Sequence, residues 1–512
     1  MPQSTPLPEG TTLWIANARV MTPDTDWHQP AVADIAIRDD MILGVAPAYG
    51  LRLGQVPPET LDARGHLVLP GFVNAHYHSH DVLAKGTLEQ VPLEQWRLYA
   101  LPAQYPPRSK EELRARTMLG ALECLRSGMT TVQDMLTLYP FDPEHLDTVI
   151  QAYEDVGIRV VFALQYGDRK GLDTVPFWKD VFPPEYHHLL SSAAEPEKKF
   201  DLLDYFEQNC LKGPTHSRRH WALGPSSPER CTTALMARTM DMAKRYDLPV
   251  YSHIYESKGM ALTARQELGQ YGGSLIRRLH AEGCLGPQMN FAHSVWLAPD
   301  EIEILAETGA GTVLNPQGNL KMQCGLPPIK SLMRAGVRIG LGCDNCSCSD
   351  AQNMYAAMKL FSLLAVVSDL RKGPPPAMEA LKAATEGGAE GARLGHLIGR
   401  IAPGYKADLS ILDLADPSFV PLNSVARQLV NIEGGRAVRH VMVDGNWVVR
   451  DRRVVSVDEA AVFEEVEAIM PTFRKDFDAI TKRVATLQPW LDEAQEKMDA
   501  ADVGIERLPR LR

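Results

Sequence analysis

The chain has 512 residues, of which 45% are hydrophobic and 23% charged, and its formal net charge is -11 at pH 7. These proportions describe a folded, water-soluble protein with one large domain and an accessory, or two to three smaller ones, and exclude a disordered or fibrous chain. Acids and bases are interspersed with no basic stripe, which argues against nucleic acid as a partner. No run approaches 18 uninterrupted apolar residues, and the N-terminal MPQSTPLPEGTTLW has neither a basic nor an apolar leader region. Membrane insertion and secretion are therefore not expected, and the expected compartment is the cytoplasm. Eight cysteines without framework spacing read as reduced thiols, not disulfides.

In chain order, residues 12 to 70 alternate short apolar runs with turn residues (LWIANARVMT, DIAIRDDMILGVAP, LDARGHLVLPG), the pattern of a small all-β module. From Gly71 the texture changes. Apolar or β-branched runs recur, each followed by a stretch of helical periodicity: GFVNAH, TTVQD at 130, IRVVFALQ at 158, HWALG at 220, LPVYSH at 248, MNFAH at 289, GTVLN at 311 and RIGLGCD at 338. One intervening helix is legible from Met118, Ala121, Leu122 and Leu125 at i, i+3, i+4, i+7, with a glycine suited to cap its end. Eight β/α repeats over residues 71–402 predict an α/β fold, a closed (β/α)8 TIM-type barrel whose reactive side chains sit at the C-terminal ends of the strands. An open doubly wound sheet would carry a glycine-rich phosphate loop after its first strand, and none is present. After residue 403, GYKADLSILDL and VRHVMVDGNWVVRDRRVV return to short strands. A small β-sandwich built from both chain ends, residues 1–70 and 403–455, is expected, with a charged helical extension over 456–512.

The first barrel strand ends in HYHSHD. Residues i and i+2 face the same side of a strand, so His76 and His78 project together into the barrel mouth. An HxH pair alone is more often two hydrogen-bonded core histidines than a metal site. Here the fifth strand also ends in SHIYES, giving His253 and Glu256, the sixth in AHSVWL, giving His293, and the eighth in GCDN, giving Asp344. Each has a dull explanation singly, but all fall at one rim. Three histidines and a carboxylate around a metal leave a position for water, whose pKa the ion lowers from 15.7 to roughly 7. Displacing an amine from an amidine-like carbon then needs a group that takes the water's proton and returns it to the departing nitrogen, and Glu256 is the candidate. His293 and Asp344 remain alternatives for the other proton.

The segments PGFVNAHYH, SGMTTVQD, SHIYES, AHSVWL, GLGCDN and GYKADLSILDL resemble the amidohydrolase superfamily, in the branch of S-adenosylhomocysteine, guanine and cytosine deaminases and the triazine hydrolases. The resemblance implies one divalent metal ion per subunit, Zn2+ or alternatively Fe2+, held by His76, His78, His253 and Asp344. It further implies Glu256 as proton shuttle, His293 as the polarising group, and a homodimer or larger homo-oligomer. Two-metal members often use a carboxylated lysine ending the fourth strand, but that strand runs HWALGPSSPE, so one ion is expected and Lys170 reads as a surface or pocket lysine.

Several residues depart from the family pattern. His80 and Asp81 stand where relatives carry small or apolar residues, so His80 is expected behind the ligands or against substrate. Gly318 replaces the usual serine and is expected to enlarge the pocket near Asn319. Cys343, Cys346 and Cys348 read as small packing residues, with Cys346 or Cys348 narrowing the pocket, in preference to a thiolate site. The loop VPLEQWRLYALPAQYPP offers Trp96, Arg97, Tyr99 and Gln104. Trp96 would cover a flat ring or simply pack, and Arg97 suits an anionic or carbonyl-bearing group. The expected substrate contacts are thus Trp96, Arg97, Gln104, Asn319 and His80. The expected activity is hydrolytic deamination of a small nitrogen heterocycle of purine, pyrimidine or s-triazine type by a metal-bound hydroxide. The alternatives are loss of chloride or alkylamine from a triazine-like ring, amide or urea hydrolysis, and, remotely, a non-catalytic scaffold.

Overall fold

Buried apolar runs over the central part of the chain form eight parallel strands in sequential order: Phe72–His78, Met129–Asp134, Arg159–Tyr166, Arg219–Pro225, Val250–Ile254, Met289–His293, Gly311–Leu314, and an eighth in two pieces, Ile339–Leu341 and Asp344–Asn345. The computed structural model describes residues 5–56, 58–169, 175–187, 201–213 and 216–508. The two pieces of the last strand close the barrel. Ile339–Leu341 pairs with the seventh strand, while Asp344 and Asn345 pair with Tyr77 and His78 of the first. Between them Gly342 passes over His76, where a Cβ would stand 2.7 Å from the His76 Cβ and 2.8 Å from its carbonyl oxygen. Only glycine fits that crossing.

Helices between the strands follow from capping and amphipathic spacing. Lys110–Arg126 starts where the Ser109 side chain accepts from the Glu112 N–H. It buries Leu113, Met118, Ala121, Leu122 and Leu125, and stops at Ser127, followed by Gly128 at φ +80°.

Strands from the two chain ends make a second, mixed sheet. On the N-terminal side Leu13–Val20, Val32–Arg38, Met41–Ala46 and His66–Pro70 take part, and on the C-terminal side Leu409–Asp413, Val438–Val443, Asn446–Arg450 and Arg453–Val454. The halves join where His66–Pro70 pairs antiparallel with Leu409–Asp413. Ile15, Val20, Ile35, Val68, Leu409, Ile411 and Met442 form its separate core.

The terminal segment is helical over Glu459–Ala485 and Gln488–Ala500. The first of these lies against Lys110–Arg126 and Leu93–Ala100, and the second against Lys258–Glu267, the helix that follows Glu256. No helix among the described residues is long and apolar enough to cross a membrane.

One buried charge group ties the barrel to the terminal sheet. Arg159, 1% exposed on the third strand, donates from Nε and Nη2 to the Asp408 carboxylate at 3.1 and 3.0 Å, and its Nη2 is 3.4 Å from Asp444. Removing the cation leaves the buried Asp408 carboxylate without its cationic partner, while Asp444 keeps Lys406 at 3.2 Å, and breaking such a buried pair costs about 3–5 kcal/mol. Arg159→Leu is expected to lower the unfolding free energy from denaturant titration by about that amount, and an unchanged value would show that the group contributes nothing.

Candidate active site

Strand alternation puts His76 and His78 on one side, with their Nε2 atoms 3.2 Å apart. His253 brings its Nε2 to 3.4 Å from that of His78. Asp344 Oδ1 lies 3.4 Å from His76 Nε2 and 3.7 Å from His78 Nε2. The contact between His78 and His253 is not a hydrogen bond. The Nδ1–H of His78 donates to the Met135 carbonyl at 2.8 Å and that of His253 to the Ser226 carbonyl at 2.7 Å, so both Nε2 atoms present lone pairs. Facing lone pairs repel unless a cation lies between them.

Burial keeps these rings neutral. It pushes the His78 imidazolium down to about 3, with His76 adding to the effect, and lowers His253 and His76 as well. Burial opposes ionisation of Asp344, yet His293 and His76 hold its carboxyl well below the usual carboxylate range. Donors about 2.1 Å from a shared ion stand roughly 3–4 Å from each other, as His76, His78 and His253 do along the chain of contacts above and as Asp344 does from His76 and His78. Asp344 Oδ2 and His293 Nε2 are buried without hydrogen-bond partners among the described residues. The donor set thus fits a single divalent ion of the zinc type, with His76, His78, His253 and Asp344 as the group that would hold it.

The strand ends that carry these residues bend sharply. Tyr255, His293, Ser294 and Asp344 have φ of +47°, +74°, +51° and +64°, a left-handed region that costs a non-glycine residue about 1–3 kcal/mol. Backbone bonds hold them: Ser294 N–H donates to Ile254, and Val295 and Trp296 N–H donate to Tyr255. The Gln352 amide donates to the Asp344 carbonyl at 2.8 Å.

Glu256 is buried 3.5 Å from His293 Nε2. Burial first, with the Asp344 charge adding, pushes its carboxyl up to about 7. His293 Nδ1 is 2.8 Å from Asn319 Oδ1, which leaves its Nε2 facing the cavity as an acceptor. The cavity has apolar walls from Leu93, Trp96, Leu101 and Met260 and polar ones from Gln165, Arg97 and Arg230.

The residues expected from sequence fall into distinct places. Trp96 forms a wall and is held by its indole N–H donating to Ser347 Oγ at 2.8 Å. His80 also lines the cavity, its ring 5.1 Å from that of His78 and its Nε2 3.3 Å from Asn345 Nδ2. Asp81 is turned away as a strut, accepting from the Cys346 and Ser347 N–H groups at 3.1 and 3.0 Å. Gln104 does not reach the cavity wall, because its Oε1 accepts from Arg483 of the terminal helix at 2.6 Å. Asn319 likewise stands behind His293 and off the wall. Tyr99 packs in a cluster with Leu487 and Leu491. Gly318 does not open the pocket: a Cβ there would lie 2.9 Å from Asp344 Oδ2, so the space is taken by the carboxylate. Burial raises the thiols of Cys343, Cys346 and Cys348, which suits packing and not metal ligation. Lys170 lies outside the described residues.

Sequence reasoning missed Gln165, Ser226, Ser227 and Arg230, which reach the cavity from the ends of the third and fourth strands. The only signal was the polar run SSPER directly after an apolar strand.

The amidohydrolase family pattern matches residues 67–448. The chain belongs to the amidohydrolase family. This amidohydrolase is 30% identical over 464 residues to the 5-methylthioadenosine/S-adenosylhomocysteine deaminase of Syntrophobacter fumaroxidans, a match covering 90% of this chain and 98% of the relative. It is 28% identical over 454 residues to the 5'-deoxyadenosine deaminase of Methanosarcina mazei, covering 88% and 96%. Among solved structures, an adenosine deaminase from Xanthomonas campestris with bound zinc aligns at a TM-score of 0.73 and 24% identity over 93% of this chain and all of that one. A variant of atrazine chlorohydrolase from Arthrobacter aurescens, complexed with zinc and atraton, aligns at 0.75 and 24% over 90% of this chain and all of the other. At that identity the two structures speak for the fold of the amidohydrolase and not for its substrate.

Gly342 offers a test of how the donors are held. Gly342→Ala would press on the Asn315 side chain, the nearest atom to the new Cβ, and on His76, so metal affinity or turnover should fall about 10–100-fold while the protein remains folded. Metal titration beside circular dichroism checks this, and full affinity in the alanine variant would show that the crossing does not position His76.

Proposed function

We propose that this amidohydrolase hydrolyses an exocyclic carbon–nitrogen bond of a small nitrogen heterocycle and releases ammonia. The observation that carries the reading is the buried Glu256 carboxyl, poised about neutrality beside His293 and next to the convergent donors. A single zinc ion held by His76, His78, His253 and Asp344 would supply Lewis acidity, lowering the pKa of a water to about 7.

The protein's own groups do the rest. Glu256 takes a proton from the attacking water and delivers it to the departing nitrogen, a task suited to a carboxyl whose pKa lies near the working pH. His293, oriented through Asn319, accepts a hydrogen bond at Nε2 from the attacking water. The unpartnered Asp344 Oδ2 offers a second acceptor. Trp96, Leu93, Leu101 and Met260 give a flat heterocycle an apolar slot that excludes bulk water. A cytoplasmic setting, supported by eight buried free cysteines, and assembly as a homodimer or larger belong to the same reading.

The test is ammonia release by the metal-analysed enzyme across purines, pyrimidines, pterins and s-triazines, with chloride measured alongside. Glu256→Gln should retain its metal and lose about 10²–10⁴-fold in kcat. Wild-type rates in that variant would remove Glu256 from the reaction, and chloride without ammonia would replace deamination by dehalogenation. Asp344→Ala is expected to lose metal, activity or both, and a metal-replete, fully active variant would contradict its role as ligand. Because the basic form of Glu256 is depleted at and below about pH 7, kcat/KM should decline as the pH is lowered through that region. A profile without an acid limb would contradict a general-base carboxylate.

A further inference from the structure

We infer that the heterocycle this enzyme takes carries a carboxylate, and that Arg97 and Arg230 together recognise it. The heterocycle itself rests on the deaminase reading above, whereas the charge rests on the pocket wall.

Arg97 comes from the helix Leu93–Ala100 after the first strand, and Arg230 from the turn Pro228–Arg230 after the fourth. Both side chains line the same cavity as His253 and Glu256. Neither guanidinium has an acidic oxygen within 4.0 Å among the described residues. Other largely buried guanidiniums have acceptors from the protein: Arg108 holds Glu112 and Asp476, Arg159 holds Asp408 and Asp444, and Arg507, without an acidic partner among the described residues, donates to the Leu297 carbonyl. The polar contact of the Arg230 side chain is a long one, Nη1 to Ser226 Oγ at 3.4 Å, and its Nε is shielded from solvent with no partner. Apart from the long bond to Ser226, guanidinium donors on this wall are left without an acidic partner among the described residues.

Two cations on one enclosed wall repel each other and lose hydration. The Arg230 guanidinium is pushed down to about 10, by burial first and by Arg97 second. An anion between them relieves both costs. The planar fork of a guanidinium matches a carboxylate in two parallel hydrogen bonds, which a point cation would not require. The two acids of the cavity are not available for the purpose, since Asp344 faces the imidazoles and Glu256 faces His293. A substrate with its amine toward Glu256 and its carboxylate toward the arginines would lay its ring against Trp96.

The test uses matched pairs: pterin-6-carboxylate and its methyl ester, and cytosine-5-carboxylate and its methyl ester, assayed for ammonia release and, by calorimetry, for binding. In at least one pair the wild type should favour the carboxylate by roughly tenfold or more, the scale of charge-assisted hydrogen bonds. Arg97→Gln and Arg230→Gln should each erase that preference through KM, with kcat within about threefold, and lysine at either position should restore part of it. The two independent variants guard against misfolding of one. Esters handled as well as carboxylates in both pairs, by turnover and by binding, would overturn the inference, as would a preference that survives both variants. Carboxylates that bind through both arginines without ammonia release would instead overturn the deaminase reading and leave this one standing. Ammonia release with no charge preference would do the reverse.

Discussion

Lone pairs of neutral imidazoles facing one another in a buried mouth are the constraint on which the rest depends. His78 and His253 give their Nδ1 protons to the carbonyls of Met135 and Ser226, which leaves the nitrogens that face each other without protons. Protonation would relieve the repulsion, but burial suppresses it. A divalent cation removes it, and the surrounding fold is arranged to keep that place. Gly342 lets the last strand cross over His76, and the split of that strand brings Asp344 beside Tyr77 and closes the barrel. The left-handed bends at His293 and Asp344 are tolerated because backbone and Gln352 hydrogen bonds hold them.

Around this centre the loops are cross-braced. Asp81, buried and with its carboxyl pushed up to about 6 by burial, ties the first loop to the eighth through the N–H groups of Cys346 and Ser347. Ser347 in turn holds the indole of Trp96. The terminal helices clamp the same face from outside. Arg483 donates to Gln104 and to the Leu98 carbonyl, Lys258 to the Asp499 carbonyl, and Arg507 to the Leu297 carbonyl. A rigid wall of this kind suits a reaction in which a flat ring must be presented to Glu256 within a few tenths of an ångström.

How much was legible in the sequence depended on the range of the interaction. Strands with period-two histidines and buried apolar runs announce themselves locally, so His76, His78, His253, Glu256, His293 and Asp344 could be read out and are brought together by the barrel. The chain's amidohydrolase motifs lie at the same positions. Side chains whose role is set by a partner far away in sequence could not be read. Gln104 looks like a pocket residue until Arg483, 379 residues later, takes its carbonyl. Gly318 looks like added space until Asp344 fills it. Arg230 sits in an ordinary polar turn, and only the fold shows that its guanidinium shares a cavity with Arg97 and has no ion-pair partner within 4.0 Å among the described residues. The terminal helices were visible as helices, but their bracing of the loops was not.

The most direct measurement is metal-edge X-ray absorption on purified protein whose metal content has been determined. One zinc per chain with three imidazole nitrogens and a carboxylate oxygen among its ligands is the expected result. A second metal per chain, sulfur among the ligands from Cys348 or its neighbours, or a folded and active protein without stoichiometric metal would contradict a one-ion centre built from His76, His78, His253 and Asp344.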